Sequence, residues 1–175
     1  MRFSSNEKKD LIFAGLMISL AFAVLLSGGL TGLLSFNQSF LIIFIIAFFT
    51  AGIGFLLHEI MHKYVAQQYG LRAEFKAFYP MLWLALGLSF FGFIFAAPGA
   101  VFIQGFITKE RNGKISLAGP LTNIFLAILF LIFIFIVPVI GFLAALSKFG
   151  LTLNFYFAAF NMIPVMPFDG GKVIL

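Results

Sequence analysis

The 175-residue chain contains no cysteine and few charged residues, with only 11 Lys+Arg and 6 Asp+Glu. The lack of cysteine excludes disulfide bridges and cysteine-ligated zinc, and it leaves the redox environment of the protein undetermined. A soluble domain carries about 25% charged residues, whereas this chain carries 10%. So small a charged fraction excludes an ordinary water-soluble protein, because too few charges are available to cover its surface.

The basic residues do not form a long run of the kind that binds nucleic acid. The longest one is Lys8-Lys9, and the formal net charge is only +5, so we expect no nucleic-acid partner. Hydrophobic residues make up 62% of the chain, and 27 residues are Phe. Long apolar runs with few charges are typical of segments that cross a membrane. The expected surroundings are therefore those of a lipid bilayer.

Hydropathy predicts about four transmembrane helices, each needing about 20 mostly apolar residues. The predicted spans cover residues 11–34, 40–69, 115–137 and 151–175, and Pro164 and Pro167 interrupt the last one. The predicted fold class is an all-α polytopic membrane protein. We expect residues 1–175 to form a single integral-membrane catalytic core.

Residues 71–107, between the second and third spans, are predicted to form a membrane-associated β-hairpin or a re-entrant element. Arg72, Glu74 and Lys76 alternate with apolar or aromatic residues, which indicates a short strand. A full crossing in the apolar stretch that follows would move Lys109 and its basic neighbours to the outside, against the positive-inside rule. We therefore expect a small sheet that enters and leaves the membrane on one side.

The positive charges also predict the direction of the spans. Arg2, Lys8 and Lys9 precede the first span, and most of the remaining basic residues lie between the second and third. The positive-inside rule then assigns both termini and the middle segment to the cytoplasm. We expect a multi-pass protein of the cell membrane, with its N-terminus and its active site on the cytoplasmic side.

The only two histidines lie four residues apart, in the segment HEIMH at residues 58–62. Residues i and i+4 share one face of a helix, so His58 and His62 can bind one zinc ion. Glu59 can then act as general base on a water activated by the metal. The alternative is a pair of interfacial histidines beside a glutamate at a helix end. Ionisable groups at the edge of a span favour a function, because they are costly there.

Asp169 is the predicted third metal ligand. A catalytic zinc has three protein ligands and one open position, and Asp169 is the remaining carboxylate at the end of an apolar span. The chain is predicted to cross the membrane twice between His62 and Asp169, which returns Asp169 to the face of the histidines. The alternative is a simple turn at a membrane exit, because Pro, Asp and Gly favour turns.

Asn123 and Asn161 are the other polar candidates, since each is an amide in an apolar span. One interpretation is that they orient the substrate backbone or stabilise an oxyanion beside the zinc. The other is that they form only helix–helix hydrogen bonds. Asn154 has no feature in the sequence that favours a function.

Taken together, these motifs resemble those of the site-2 protease family of intramembrane zinc metalloproteases, in its microbial, archaeal type. HEIMH at 58–62 resembles the family's HExxH, AGPLTN at 118–123 resembles its AGPxxN segment, and NMIPVMPFDG at 161–170 resembles its NxxPxxPxDG signature. The three motifs occur in the family's order. Together they are far more specific than HExxH alone.

The resemblance implies one zinc ion per chain, with His58, His62 and Asp169 as ligands and Glu59 as catalytic base. It also implies transmembrane protein substrates whose peptide bonds are hydrolysed in or near their membrane segments. Relatives usually extend beyond the point that corresponds to Leu175, so we expect a catalytic core truncated at its C-terminus, or else a minimal variant. The alternative function is that of an inactive membrane scaffold or a metal-binding membrane protein. The oligomeric state is left open.

Overall fold

The computed structural model describes residues 1–34, 38–95, 97–136 and 140–174. Residues 35–37 of the predicted connection at 35–39, the predicted end of the third span at Val137 and the chain end at Leu175 lie outside these residues. In chain order, the helices are α1 (Ser5–Leu26), α2 (Leu30–Leu34), α3 (Gln38–Ala47), α4 (Ile53–Gln68), α5 (Tyr79–Ser89), α6 (Lys109–Ile136), α7 (Gly141–Asn161) and α8 (Asp169–Ile174). The strands are β1 (Arg72–Ala77) and β2 (Gly99–Gln104).

Within the described residues, four helices are long and apolar enough to cross a membrane, as the sequence predicts. They are Ser5–Leu26, Ser39–Gln68, Lys109–Ile136 and Gly141–Asn161. The second span joins α3 and α4 through a π-helical turn at Phe48–Gly52, which the sequence did not predict. A two-stranded antiparallel sheet lies between the second and third spans. The predicted fold class of a polytopic helical membrane protein with a small sheet is therefore confirmed.

The third and fourth spans begin earlier than predicted. Helix α6 begins at Lys109 rather than at Ile115, and α7 begins at Gly141 rather than at Leu151. Lys109 and Lys148 lie outside the predicted spans, but in the structure they are exposed residues within these helices. A long basic side chain can carry its charge to water from a helical position, so it does not end the helix.

The fourth span also ends earlier than predicted. Helix α7 ends at Asn161 rather than continuing to Leu175. Pro164 and Pro167 have no backbone N–H to donate, and their rings disfavour a continuing helix. Helical structure therefore resumes only at Asp169, in the short helix α8.

Residues 71–107 contain the predicted small sheet, but residues 81–107 do not form a hairpin by themselves. Most of the first part is helix α5, and only Gly99–Gln104 is a strand. Pro80 lies in the first turn of α5, where its missing N–H costs no intrahelical hydrogen bond, and the Met, Leu and Ala residues that follow favour a helix. Strand β2 pairs with β1 so that Arg72 lies opposite Gln104. The element is therefore strand–helix–strand.

Helix α1 covers the outer edge of strand β1. Glu7 Oε1 accepts a hydrogen bond from the Phe75 N–H at 2.9 Å, and Asp10 Oδ2 accepts one from the Ala77 N–H at 3.0 Å. Glu7 also forms a buried ion pair with Lys63 of α4. A buried charge is stable only when it is paired. These contacts hold the sheet between the first two spans.

Helix α4, which contains the two histidines, ends just before a glycine. Its last residue is Gln68, and Gly70 follows with a φ of 75°. Glycine adopts this left-handed conformation readily and is common just after a helix. The Leu71 N–H then donates to the Ala66 carbonyl at 3.2 Å. The turn leads directly into β1, so the sheet lies beside the helix that carries the histidines.

Candidate metal centre

Three of the predicted site residues meet at one place. His58 and His62 lie on one face of α4 and are only 5% and 7% exposed, and their Nε2 atoms are 3.0 Å apart. Asp169, the first residue of α8, places its Oδ2 atom 3.2 Å from His58 Nε2 and 3.0 Å from His62 Nε2. Residues that are far apart in the chain are thus brought together in a buried cluster.

The arrangement of the three side chains fits a zinc ion. One ligand atom of each side chain lies within 4.8 Å of the others. In a tetrahedral zinc site with ligand distances of about 2.0–2.2 Å, ligand atoms are about 3.3–3.6 Å apart, a little more than the separations seen here. Two imidazole nitrogens and one carboxylate oxygen form a donor set that leaves a fourth position open, as catalytic zinc sites require.

A second hydrogen bond orients each imidazole. His58 Nδ1 lies 2.6 Å from Asn123 Oδ1, and His62 Nδ1 lies 2.7 Å from the Ile115 carbonyl oxygen. Both oxygens can only accept, so each Nδ1 donates a proton and each Nε2 keeps its lone pair. Such outer partners orient metal-binding histidines. Both lone pairs are therefore directed to the cluster.

Asp169 is held as an anion with one oxygen toward the histidines. Lys172 Nζ donates to Asp169 Oδ1 at 3.1 Å. Because Lys172 engages Oδ1, Oδ2 is the oxygen that faces the histidines.

Helix α6 approaches the cluster closely at Gly119. A Cβ atom at this position would lie 2.4 Å from His62 Nε2 and 2.6 Å from His58 Nε2. Any side chain at Gly119 would therefore occupy the space between the ligand atoms. In the sequence, Gly119 stands out only as part of the AGPLTN motif, which predicts no separate role for it.

Glu59 lies between the cluster and the sheet. It follows His58 on α4 and is half-buried, and its carboxylate lies within hydrogen-bonding reach of the Val101 N–H in β2. The charges of Asp169 and Lys172 both act on the carboxylate. Glu59 is therefore adjacent to the three candidate ligands without being one of them.

Asn123 does not offer its amide to a substrate. It is fully buried, and its Oδ1 atom faces His58. Its Nδ2 atom donates to the Gly54 carbonyl at 3.1 Å and to Asn154 Oδ1 at 3.0 Å. The helix–helix hydrogen bonds considered for Asn123 are present, and a direct role on substrate is unsupported because both ends of the amide are engaged.

The hydrogen bonds of Asn161 and Asn154 lead to different places, and only that of Asn154 leads toward His58. Asn161 donates to the Phe157 carbonyl of its own helix at 2.9 Å, so this hydrogen bond does not connect it to the metal-ligand cluster. Its role on substrate stays a prediction. Asn154 is in hydrogen-bond contact with Asn123 and was missed. The only signal in the sequence that could have identified Asn154 is its amide side chain within an apolar span.

Two curated proteins of Methanocaldococcus jannaschii are similar to this chain. One, named "Putative zinc metalloprotease MJ0611", is 42% identical over 175 residues, which cover 99% of this chain and 85% of that protein. The other, named "Zinc metalloprotease MJ0392", is 31% identical over 147 residues, which cover 82% of this chain but 37% of that protein. No protein-family model and no solved structure matches the chain. With 42% identity over almost its whole length, the chain belongs to the family of zinc metalloproteases that these archaeal proteins represent.

Proposed function

We propose that this protein is an intramembrane zinc metalloprotease of the site-2 protease type. Its substrates would be membrane proteins, with peptide bonds hydrolysed in or near their transmembrane segments. The observation that carries the proposal is the convergence of His58, His62 and Asp169 within a bundle of apolar helices, with Glu59 beside them. The names of the two relatives support the protease chemistry.

The depth of the cluster supports a site at the membrane. The apolar residues 40–57 precede His58 in the second span. At about 1.5 Å per residue this stretch is about 27 Å long, and the hydrocarbon core of a bilayer is about 30 Å thick. His58 would then lie near the edge of the hydrocarbon, where a substrate segment leaves the membrane.

The basic residues support a cytoplasmic site in the cell membrane. They cluster before the first span and between the second and third spans, as the positive-inside rule expects of cytoplasmic segments. Because the chain has no cysteine, single cysteines at Lys9 and Gly141 can be labelled in intact cells. We expect a membrane-impermeant reagent to label the Gly141→Cys variant and to spare Lys9→Cys. The reverse pattern would contradict the proposed orientation.

His58, His62 and Asp169 would hold one zinc ion per chain through Nε2, Nε2 and Oδ2. When bound, zinc supplies Lewis-acid activation for hydrolysis of the scissile bond. Glu59 takes a proton from the attacking water and delivers it to the leaving amine. The place of Glu59 next to His58 on α4 keeps its carboxylate at the cluster, on the side of the sheet.

The sheet offers an edge to an unwound substrate beside Glu59. Phe75 and Ala77 of β1 donate their N–H groups to α1, away from β2. Opposite residues of an antiparallel pair direct their backbone groups either both inward or both outward. Val101 lies opposite Phe75, so its N–H is directed to the outer edge of β2, where the Glu59 carboxylate lies.

We propose that substrate binds this outer edge of β2 by strand addition. A substrate helix must unwind before hydrolysis, because its carbonyls are hydrogen-bonded within the helix. The outer edge of β1 is already engaged by Glu7 and Asp10. An extended segment paired with β2 would obtain main-chain hydrogen bonds and would lie next to Glu59.

Replacing Ile103 with Pro tests this binding mode. Ile103 lies two residues after Val101 and shares its outward orientation, so the substitution removes one N–H from the outer edge of β2. We expect the initial rate of cleavage to fall by about 2–10-fold, the equivalent of one main-chain hydrogen bond. The zinc content per chain should not change, because Ile103 is outside the ligand cluster.

Ala73→Pro is the matched control. Ala73 lies directly opposite Ile103 in the sheet, and its N–H is directed to the outer edge of β1, on the side of α1. We expect cleavage by Ala73→Pro to stay close to that of the unmodified chain. Equal losses in both variants would indicate general damage to the sheet and would contradict strand addition on β2.

The proposed function itself is tested on protein purified in detergent. Zinc per chain is measured together with cleavage of a substrate that contains a transmembrane segment. We expect one zinc ion per chain and a single main cleavage in or near that segment. Zinc without cleavage of any membrane substrate would instead favour a metal-binding membrane protein or an inactive scaffold. Absence of stoichiometric zinc would contradict the proposal.

A further inference from the structure

We infer that Asn154 of α7 is a positioning residue that holds His58 in the tautomer that binds a metal. The inference rests on the zinc site of the proposed function. Asn154 is fully buried, and its side chain hydrogen-bonds to Asn123, which in turn contacts His58. It would act through Asn123, without touching the metal or the substrate.

Two backbone carbonyls determine which way the Asn154 amide faces. Asn154 Nδ2 lies 2.9 Å from the Gly150 oxygen and 3.5 Å from the Thr50 oxygen, which belongs to the π-helical turn. A backbone carbonyl can only accept a hydrogen bond. The donating end of the amide must therefore face these oxygens, and Oδ1 must face the other way.

The orientation of Asn154 in turn determines that of Asn123. Asn154 Oδ1 accepts from Asn123 Nδ2 at 3.0 Å, and the Gly54 carbonyl accepts from the same nitrogen at 3.1 Å. If the Asn123 amide were turned over, its oxygen would face two other oxygens in a buried place. Buried polar groups without partners are costly. Asn123 Oδ1 is therefore left facing His58.

This orientation decides which nitrogen of His58 is available to a metal. Asn123 Oδ1 can only accept, so the proton of a neutral His58 ring lies on Nδ1 and the lone pair lies on Nε2. With Asn123 turned over, an N–H would face Nδ1, and the ring proton would move to Nε2. His58 Nε2 could then not bind zinc. Two acceptors keep the Asn123 amide from turning over: the Gly54 carbonyl oxygen and Asn154 Oδ1.

The variant Asn154→Leu removes the acceptor at similar side-chain volume. Mutation of outer partners of metal ligands typically weakens metal binding by 10–100-fold. We expect the zinc dissociation constant of Asn154→Leu to rise by about 10-fold, the lower end of that range, because Gly54 still restrains Asn123. Competition with a chelator measures this constant. If the Leu variant does not fold, Asn154→Ala removes the same acceptor.

Two further variants distinguish a positioning role of Asn154 from a role in stability alone. Ser147→Ala removes another buried polar side chain of α7, whose hydroxyl donates to the Leu143 carbonyl of its own helix. It should leave zinc affinity unchanged. Asn154→Asp, protonated in this buried place, can donate to the Gly150 carbonyl and keep an oxygen toward Asn123, so it should retain more zinc affinity than Asn154→Leu. A fall in thermal stability equal in all three variants, without a change in zinc affinity, would overturn the inference.

A double variant tests whether Asn154 acts through Asn123. Residues that act through one contact show non-additive effects, whereas independent residues show additive ones. We expect the zinc affinity of Asn123→Ala combined with Asn154→Leu to be no lower than that of Asn123→Ala alone. Additive losses would overturn the inference.

Nuclear magnetic resonance gives a direct measurement, because the chain has only two histidines. Protein labelled with ¹⁵N-histidine and loaded with zinc should give two ring N–H signals, one from each Nδ1. We expect Asn154→Leu to move the same single signal that Asn123→Ala moves. The other signal, from the ring bonded to the Ile115 carbonyl, should stay in place.

The outcomes distinguish this inference from the proposed function. If the unmodified chain binds zinc and Asn154→Leu changes neither its affinity nor a ring N–H signal, the inference alone is overturned. If the unmodified chain binds no zinc, the proposed function and the inference are both overturned.

Discussion

Replacing Glu59 with Gln is expected to lower the rate of substrate cleavage by about 10²–10⁴-fold, the usual contribution of a general base. Gln has nearly the same shape but cannot take a proton from water at neutral pH. His58, His62 and Asp169 are unchanged in this variant, so the bound zinc should remain at one ion per chain. The measurements are the initial rate of cleavage and the zinc content of the purified protein.

The control for this prediction is Glu110→Gln. Glu110 is an exposed carboxylate at the start of α6, paired with Lys114 on the helix surface. Surface pairs of this kind contribute little to stability, so cleavage and zinc content should match those of the unmodified chain. Full activity in Glu59→Gln would contradict the assignment of Glu59 as general base, and loss of zinc would indicate that Glu59 supports the metal site.

Replacing Gly119 with Ala is expected to remove zinc binding and cleavage together. The new methyl group would lie 2.4 Å from His62 Nε2 and 2.6 Å from His58 Nε2, closer than non-bonded atoms approach. Its position is determined by the backbone of α6, so the imidazoles must turn away from each other. We expect the zinc dissociation constant to rise by more than the 10–100-fold that loss of an outer hydrogen-bonding partner causes.

Gly113→Ala in the same helix is the matched control. A Cβ atom at Gly113 meets nothing closer than the backbone of Val173 at 3.8 Å, which is ordinary contact. Alanine favours a helix over glycine by about 1 kcal/mol, so neither variant should weaken α6 through helix propensity. Chelator competition measures zinc affinity, and thermal unfolding measures stability, so the two measurements distinguish a loss of zinc binding from a loss of helix stability. Stoichiometric zinc of unchanged affinity in Gly119→Ala would contradict the position of the metal between the two imidazoles.

The residues of the candidate centre could be named from the sequence because each has a local signal. His58 and His62 have the helical i, i+4 spacing, and Asp169 follows a span that two prolines interrupt. The even number of crossings between His62 and Asp169 also predicted that both would lie at one end of the bundle. Their roles as zinc ligands stay predictions, which the zinc measurements above address.

The boundaries of the elements were less predictable than their number. Four apolar stretches have the length and hydropathy of spans, and four such helices are present in the described part of the chain. Helix α7 begins at Gly141, before the predicted start of the fourth span at residue 151, because a single exposed lysine such as Lys148 does not end a helix. Helix α5 was missed because residues 79–89 have no polar face, and apolar runs without periodicity do not distinguish helix from strand.

The sequence by itself determined the membrane class, the number of spans and the residues of the candidate centre, because hydropathy and helical spacing are properties of neighbouring residues. Only the tertiary structure decided that Gly119 leaves room between the imidazoles, that β2 has the outer edge beside Glu59, and that Asn154 contacts the amide that faces His58. Each of these features depends on contacts between segments that are distant in the chain. Their physical basis is the close packing of α4, α6 and α7, and no local pattern of residues encodes it.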